Sequence, residues 1–425
     1  MKASAALAPA LREAASIVAA VAAGKSLTEQ FERAAEAAPQ TPRGALTDLT
    51  HGALRRYGRV QAIVEALSRR GRPDRLVEAL LWCSLYAIES RRYADYTVVD
   101  QAVRACGLLE RWTAKGYVNA VLRAYLRERE AIESRIQRDV EARWQHPQWW
   151  IEIVQAAYPA AWESVLAAGN AHPPMCLRVN RKLTSVDDYL RRLAAEGMAA
   201  RRVGAEALLL ERPVGVERLP GFAAGEVSVQ DAAAQRAAHC LDLRGGQQVL
   251  DACAAPGGKT AHILETAEAD VTALDVDAAR CARVERNLER LRLHAQVKIA
   301  DCTQPATWWS GSPFDRILAD VPCSASGIAR RHPDVKWLRR AQDVGNFAVR
   351  QSQIVRALWQ VLAPGGKLLY ATCSVFPQEN SEVVEAFVAA TPGARALALP
   401  DGGDAQWLPD AEHDGFYYAL IEKQA

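Results

Sequence analysis

From about residue 245 the chain repeats one pattern: a short apolar run, then an amphipathic stretch, then another apolar run. The runs Gln248–Asp251, Val271–Leu274, Val297–Ala300, Arg316–Ala319 and Lys367–Ala371 read as strands, with helices near 259–267, 277–292 and 345–362. Strand–helix alternation predicts a parallel sheet, because parallel neighbours need a crossover rather than a hairpin. Ligands of such sheets collect at the carboxyl ends of the strands. The apolar and aromatic stretch Gly415–Ile421 adds a last strand.

The rest of the chain divides in two. Residues 1 to about 140 read as nearly all helix, a bundle of modest size. Leu76, Val77, Leu80, Leu81, Leu85 and Ile88 recur at helical spacing, as do Val118, Val121, Leu122 and Tyr125. Arg123 and Arg127, four apart, share a face of the latter helix. His146-Pro147-Gln148-Trp149-Trp150 breaks the pattern, and residues 150–172 turn helical again. Strands at Met175–Asn180, Ala207–Leu210 and Val227–Gln230, with a helix over Ser185–Glu196, make residues 146–230 a small α/β module. Residues 231–425 carry the larger sheet.

Charge says little by itself, since the net value is +2. Its distribution says more: residues 1–145 hold 23 Lys+Arg against 17 Asp+Glu, the remainder 29 against 33. The excess gathers at Arg55, Arg56, Arg59, Arg69, Arg70, Arg72 and Arg75. A solvated helix surface is the plainer reading and a phosphate-contacting face the sharper one. Nine cysteines without Cys-x-x-Cys or zinc spacing fit a reducing compartment and no metal centre. Arg12 and Glu13 interrupt the alanine-rich start, and no run approaches the ~20 apolar residues of a membrane span. A cytoplasmic protein is expected.

The glycine-rich loop Cys253–Thr260 is one residue from a P-loop, with Cys253 where the first glycine would stand. A nucleotide triphosphatase fits poorly, because that glycine lets the backbone wrap phosphates. Asp275 ends the next strand at the distance where a carboxylate meets a ribose diol. Asp301 and Asp320 end the two strands after it. Three carboxylates at one sheet edge suit a nucleoside with a cationic or neutral centre and would repel a triphosphate.

Cys323 and Cys373 also follow strand ends, in Asp-Val-Pro-Cys and Ala-Thr-Cys-Ser. Cys83, Cys106, Cys176, Cys240, Cys281, Cys253 and Cys302 read as inert packing thiols. Two thiols beside a nucleoside-type cofactor suit methylation of pyrimidine carbon 5. Thiolate addition to carbon 6 makes carbon 5 nucleophilic. A nearby carboxyl can steady the charge that develops on the ring. Position alone does not choose between Cys323 and Cys373. A non-catalytic RNA-binding factor would need neither thiol.

Leu250–Thr260, Asp320-Val321-Pro322-Cys323-Ser324 and Ala371-Thr372-Cys373-Ser374 resemble the RNA cytosine-5 methyltransferases of the Nol1/Nop2/Sun family. The run Cys323–Trp337 is similar to the bacterial members, and Lys115–Arg123 to their NusB-like first domain. Ala325-Ser326-Gly327 stands where that group has Ala-Thr-Gly. The resemblance implies an all-α NusB-like RNA-binding domain over 1–142, the α/β module over 146–230, and a Rossmann-like methyltransferase domain over 231–425. It implies Cys373 as nucleophile, whereas DNA cytosine methyltransferases use the Pro-Cys thiol. Cys323 would assist product release. S-adenosylmethionine would lie on Cys253, Ala254, Ala255, Pro256, Gly257, Gly258 and Lys259, with Asp275 on the ribose and Asp301 near the adenine. Asp320 would serve both cofactor and target base, and Lys259 would orient either. The implied substrate is one cytosine of 16S ribosomal RNA, of the cytosine 967 type, on naked RNA or an assembling small subunit. Arg330, Arg331 and His332 read equally well as a phosphate-contacting trio and as an exposed basic loop. A monomer with no membrane association is expected.

Overall fold

The alanine bias of the first residues has a packing reason. Ala8, Ala10, Ala14 and Ala15 alternate with Leu11, Ile17 and Val18 around the helix Leu7–Ala22, and all are buried. Small side chains on most faces let this helix sit against the helices Arg43–Arg55, Arg75–Glu89 and Asp95–Leu108. Arg75–Glu89 is also interior, burying Val77, Leu80, Leu81, Leu85 and Ile88, and Asp74 caps its start by accepting from the Leu76 N–H at 3.0 Å. The helix Lys115–Arg127 buries Val118, Val121, Leu122 and Tyr125 and leaves Arg123 and Arg127 exposed, as their spacing predicts. A computed structural model describes residues 7–37, 41–68 and 71–425.

This helical unit runs through Ala171, past residue 142, because the helices Gln148–Ala157 and Trp162–Asn170 pack with it. It also takes in Ala329–Arg340 from much later in the chain. Lys336 anchors that segment. Its ammonium is fully buried and donates to the carbonyls of Arg55 and Gln145, each at 3.0 Å, and to Asn170 Oδ1 at 2.7 Å. Arg55 Nε donates to the Arg330 carbonyl at 2.9 Å, and Trp337 Nε1 to the Leu54 carbonyl at 3.0 Å. Arg330 is therefore not part of an exposed basic loop or a phosphate-contacting trio: it is 1% exposed, while His332 is exposed.

In the basic cluster of the first third, Arg55 departs from both readings, and the other described arginines pair with carboxylates, Arg56, Arg72 and Arg75 at the surface. Arg55 is buried, Arg56 and Arg59 pair with Glu89, and Arg59 also meets Glu133. Arg72 and Arg75 pair with Glu65 and Glu78. These arginines therefore meet carboxylates of the same segment, while the net excess of that segment is unchanged. Arg69 and Arg70 lie outside the described residues.

The second unit, residues 172–328 and 341–425, holds two sheets. The smaller is antiparallel, with strands β1 (Met175–Val179), β2 (Ala200–Arg202), β3 (Ala207–Leu210) and β4 (Val227–Val229) in the order β2-β3-β1-β4. The larger comprises β5 (Gln248–Asp251), β6 (Asp270–Asp275), β7 (Gln296–Ile299), β8 (Phe314–Asp320), β9 (Leu362–Thr372), β10 (Ala394–Leu397), β11 (Gln406–Trp407) and β12 (Phe416–Lys423). Its order is β10-β12-β9-β8-β5-β6-β7, with β11 beside β12. The strands from β9 to β7 are parallel, and β12 runs antiparallel to β9 and β10. Alternate residues of the central strands feed two separate cores: Val249, Leu318 and Leu369 go to one, Leu250, Ile317 and Leu368 to the other. That is why these strands read as continuous apolar runs. The strand order reverses between β5 and β8, where a doubly wound sheet opens a crevice.

Candidate functional site

A cleft of about 250 Å³ opens at the carboxyl ends of β5, β6, β7 and β8. Asp275, Asp301 and Asp320 all line it, as do Cys253, Ala255, Cys323 and Cys373. The loop after β5 is held by Ala254 N–H donating to the Leu274 carbonyl at 2.8 Å and Gly257 N–H to the Ala254 carbonyl at 2.7 Å. Gly257 has φ +93°, and a Cβ there would meet Val284 Cα at 3.1 Å, so conformation and close packing both require glycine. Ala254 and Gly257 are buried behind the lining, Pro256 is exposed, and Gly258 and Lys259 open the helix Gly258–Thr266.

Each lining carboxylate has a cationic neighbour. Lys259 Nζ donates to Asp320 Oδ2 at 2.5 Å and lies 5.1 Å from the Phe416 ring centre. Burial opposes the Lys259 charge, but Asp320 outweighs it and raises the pKa above the ordinary lysine value. Asp275 accepts from the Ala255 and Asp277 N–H groups at 3.3 and 3.2 Å and meets Arg280 at 3.3 Å. Asp301 accepts from Thr303 N–H and Oγ1 at 2.9 and 2.7 Å and pairs with Arg350 at 2.9 Å. Burial pushes the Asp301 carboxyl up, yet these donors leave it below the usual carboxylate range. A fourth carboxylate, Asp251, is fully buried beneath the loop and accepts from Thr260 Oγ1 at 2.7 Å. Burial pushes its pKa up to about 7.

The two thiols expected to react lie together, with Cys323 Sγ 3.3 Å from Cys373 Sγ. The hydrogen bond to Cys373, reinforced by burial, raises the Cys323 pKa well above that of an ordinary thiol. Cys323 is thus held as an S–H that can donate to Cys373. Cys253 and Cys302 also line the cleft. Arg280, Arg350 and the buried Glu379 carry no sequence signal of this kind. Arg350 sits in the helix Ala341–Val361, remote in sequence from every motif.

Elsewhere in this unit Glu206, His239 and His262 bring ligand atoms within 4.8 Å of one another. Glu206 already accepts from His239 Nε2 at 2.9 Å, and Arg181 lies 3.7 Å from it. Burial and Arg178 keep the His262 pKa well below the usual imidazole value.

Three family models match the chain: the NusB family over 9–127, an RsmF/B-like ferredoxin-like domain over 146–217, and the 16S rRNA methyltransferase RsmB/F over 238–422. The ribosomal RNA small subunit methyltransferase B of Pseudomonas putida is 43% identical over 97% of this chain and 98% of its own. The protein of that name from Vibrio cholerae is 42% identical over 94% of each chain. A solved methyltransferase homolog from Pyrococcus horikoshii is 27% identical, with TM-score 0.59, over 67% of this chain and 97% of its own. The matched order is the one expected: an all-α NusB-like part, a small α/β module, and a Rossmann-like methyltransferase domain.

Proposed function

Because this chain belongs to the RsmB/F family of 16S rRNA methyltransferases, we propose that it methylates carbon 5 of one cytosine in small-subunit ribosomal RNA, of the cytosine 967 type. The observation that carries this reading is the pair of thiols 3.3 Å apart at a cleft lined by three carboxylates. The family draws on S-adenosylmethionine, which supplies an electrophilic methyl group. Asp275, Asp301 and the loop Cys253–Lys259 would hold it. Asp275, Asp301 and Asp320 each have one cationic neighbour, which leaves no surplus positive charge for a triphosphate.

The target cytosine must leave its stack for a thiol to reach its ring. Cys373 is the nucleophile. Its sulfur adds to carbon 6, and the electrons displaced into the ring make carbon 5 nucleophilic. Asp320 accepts from the exocyclic amine of the cytosine, and the Lys259 ammonium beside it offsets the negative charge that develops on the ring. After methylation the carbon-5 proton leaves to a base, the carbon 5–carbon 6 double bond re-forms, and the bond to Cys373 breaks. The electrons return to the Cys373 sulfur, and the S–H of Cys323 stabilises the departing thiolate. Residues 1–142 serve as the RNA-binding part, with Arg123 and Arg127 exposed for phosphate contact. Residues 146–230 and 231–425 form the catalytic part of a cytoplasmic monomer. No helix among the described residues is long and apolar enough to cross a membrane.

Methyl transfer from labelled S-adenosylmethionine to 16S RNA, mapped by bisulfite sequencing, tests the proposal. One 5-methylcytosine is expected, absent with Cys373→Ala, while S-adenosylhomocysteine still binds. Cys323→Ala should accumulate a covalent protein–RNA adduct. Normal turnover by Cys373→Ala would overturn the nucleophile assignment, and adduct-free behaviour of Cys323→Ala the release role.

A further inference from the structure

Glu379 is fully buried, six residues beyond Cys373. Its Oε1 accepts from the Ser324 N–H at 2.7 Å and from Gln351 Nε2 at 3.2 Å. Its Oε2 accepts from Ser324 Oγ at 2.5 Å and Ser374 Oγ at 2.6 Å. Ser324 directly follows Cys323, and Ser374 directly follows Cys373. One carboxylate therefore grips the residue after each thiol. The donors have a fixed sense. Ser326 Oγ accepts from the Val375 N–H and lies 2.9 Å from Ser374 Oγ. Ser374 Oγ accepts from the Phe376 N–H at 3.0 Å. With its lone pairs so engaged, the Ser374 hydroxyl must give its proton to Glu379. A carboxylate is acceptor-only and takes all four donors, whereas an amide cannot. Gln351 Nε2 also donates to the Pro322 carbonyl at 3.0 Å, tying the Cys323 loop to the same frame.

We propose that Glu379 is a positioning residue that locks the Cys323 and Cys373 loops in register and so fixes the spacing of the two thiols. Its catalytic consequence rests on the two-thiol reading above; its effect on thiol spacing does not. Removing the clamp lets the sulfurs drift apart without touching the cofactor loop.

The test uses the full-length protein with Glu379→Ala and Glu379→Gln. Diamide, which takes two electrons and two protons from a thiol pair, reports on their proximity through Cys323–Cys373 disulfide formation followed by mass spectrometry. Disulfide closure should slow about 10-fold or more and kcat should fall about 100-fold for the alanine variant, with KM for RNA and S-adenosylhomocysteine affinity nearly unchanged. The glutamine variant, which keeps shape and two of the donors, should show the same pattern at smaller amplitude. It also carries the test should the alanine variant fail to fold. Wild-type closure and kcat in Glu379→Gln would overturn the role, as would cofactor affinity falling in step with kcat. If Cys373→Ala were active, the catalytic reading would fail while disulfide closure still judged the clamp.

Discussion

Lys336 in the helical unit and Glu379 in the sheet unit are both 0% exposed, and burial drives both toward their neutral forms. Their surroundings differ. Lys336 meets acceptors at the ends of three helices: Arg55 closes Arg43–Arg55, Gln145 caps Val140–Trp144, and Asn170 closes Trp162–Asn170. Those are helix C-termini, where carbonyls lack internal partners and the dipole favours a cation. Glu379 meets donors beside the two cleft thiols. The same physics, a buried ionisable group saturated with hydrogen bonds, joins helix ends in one unit and the loops of two cleft thiols in the other. Both sites draw on the run Cys323–Trp337, whose first residues belong to the sheet unit and whose last belong to the helical one.

The sharpest way to break this comparison is Lys336→Met. It leaves two main-chain carbonyls and an amide oxygen buried without a donor. At roughly 1 kcal/mol or more each, the loss should be about 3 kcal/mol of stability. Urea denaturation followed by tryptophan fluorescence reads it. S-adenosylhomocysteine affinity should hold, since the cleft residues lie in the other unit. A parallel loss of affinity would mean that the two units do not divide the work in this way.

Within the sheet unit, Asp275→Ala should weaken S-adenosylmethionine binding on the order of 1.5–3 kcal/mol, the worth of a charge-assisted contact. The carboxylate also receives the Ala255 and Asp277 N–H groups, so the loop after β5 loosens with it. Calorimetry with S-adenosylhomocysteine measures the change. Unchanged affinity would mean that the ribose lies elsewhere.

The parts of this molecule legible in its sequence are those fixed by local pattern. The central strands are buried on both faces and announce themselves as apolar runs. The carboxylates and thiols at their ends share a cleft because strand ends share an edge. What local pattern does not carry is partnership across sequence distance. Arg350 meets Asp301 from the middle of a long helix, and Glu379 finds Ser324 from 55 positions away. Arg330 reads as part of a phosphate-contacting trio or an exposed basic loop, because nothing nearby in the sequence announces the packing that buries it. The helices Ala232–Cys240 and Ser381–Ala390 and the strands β2, β10 and β11 also escaped the pattern. Those three strands have no buried residue, so no apolar run marks them.

The smallest effect separates Asp251 from the cleft carboxylates. Asp275 and Asp301 have donors at both oxygens, but Asp251 has Thr260 at one oxygen and none at the other. Its folded-state pKa of about 7 stands above the ordinary value of 3.8, so the native state holds a proton that the unfolded chain releases. Native stability from this group is full at low pH and is lost as pH rises toward 7. Above 7 both states are ionised and the slope ends. In Asp251→Asn the amide replaces the protonated acid, and that slope should vanish. The stability of wild type relative to the variant should fall by about 1 kcal/mol per pH unit between pH 5 and 7, then level off. Chemical denaturation at pH 5, 6, 7 and 8 reads the difference. Equal slopes for both proteins would mean that Asp251 is ionised throughout, with its charge stabilised by more than Thr260.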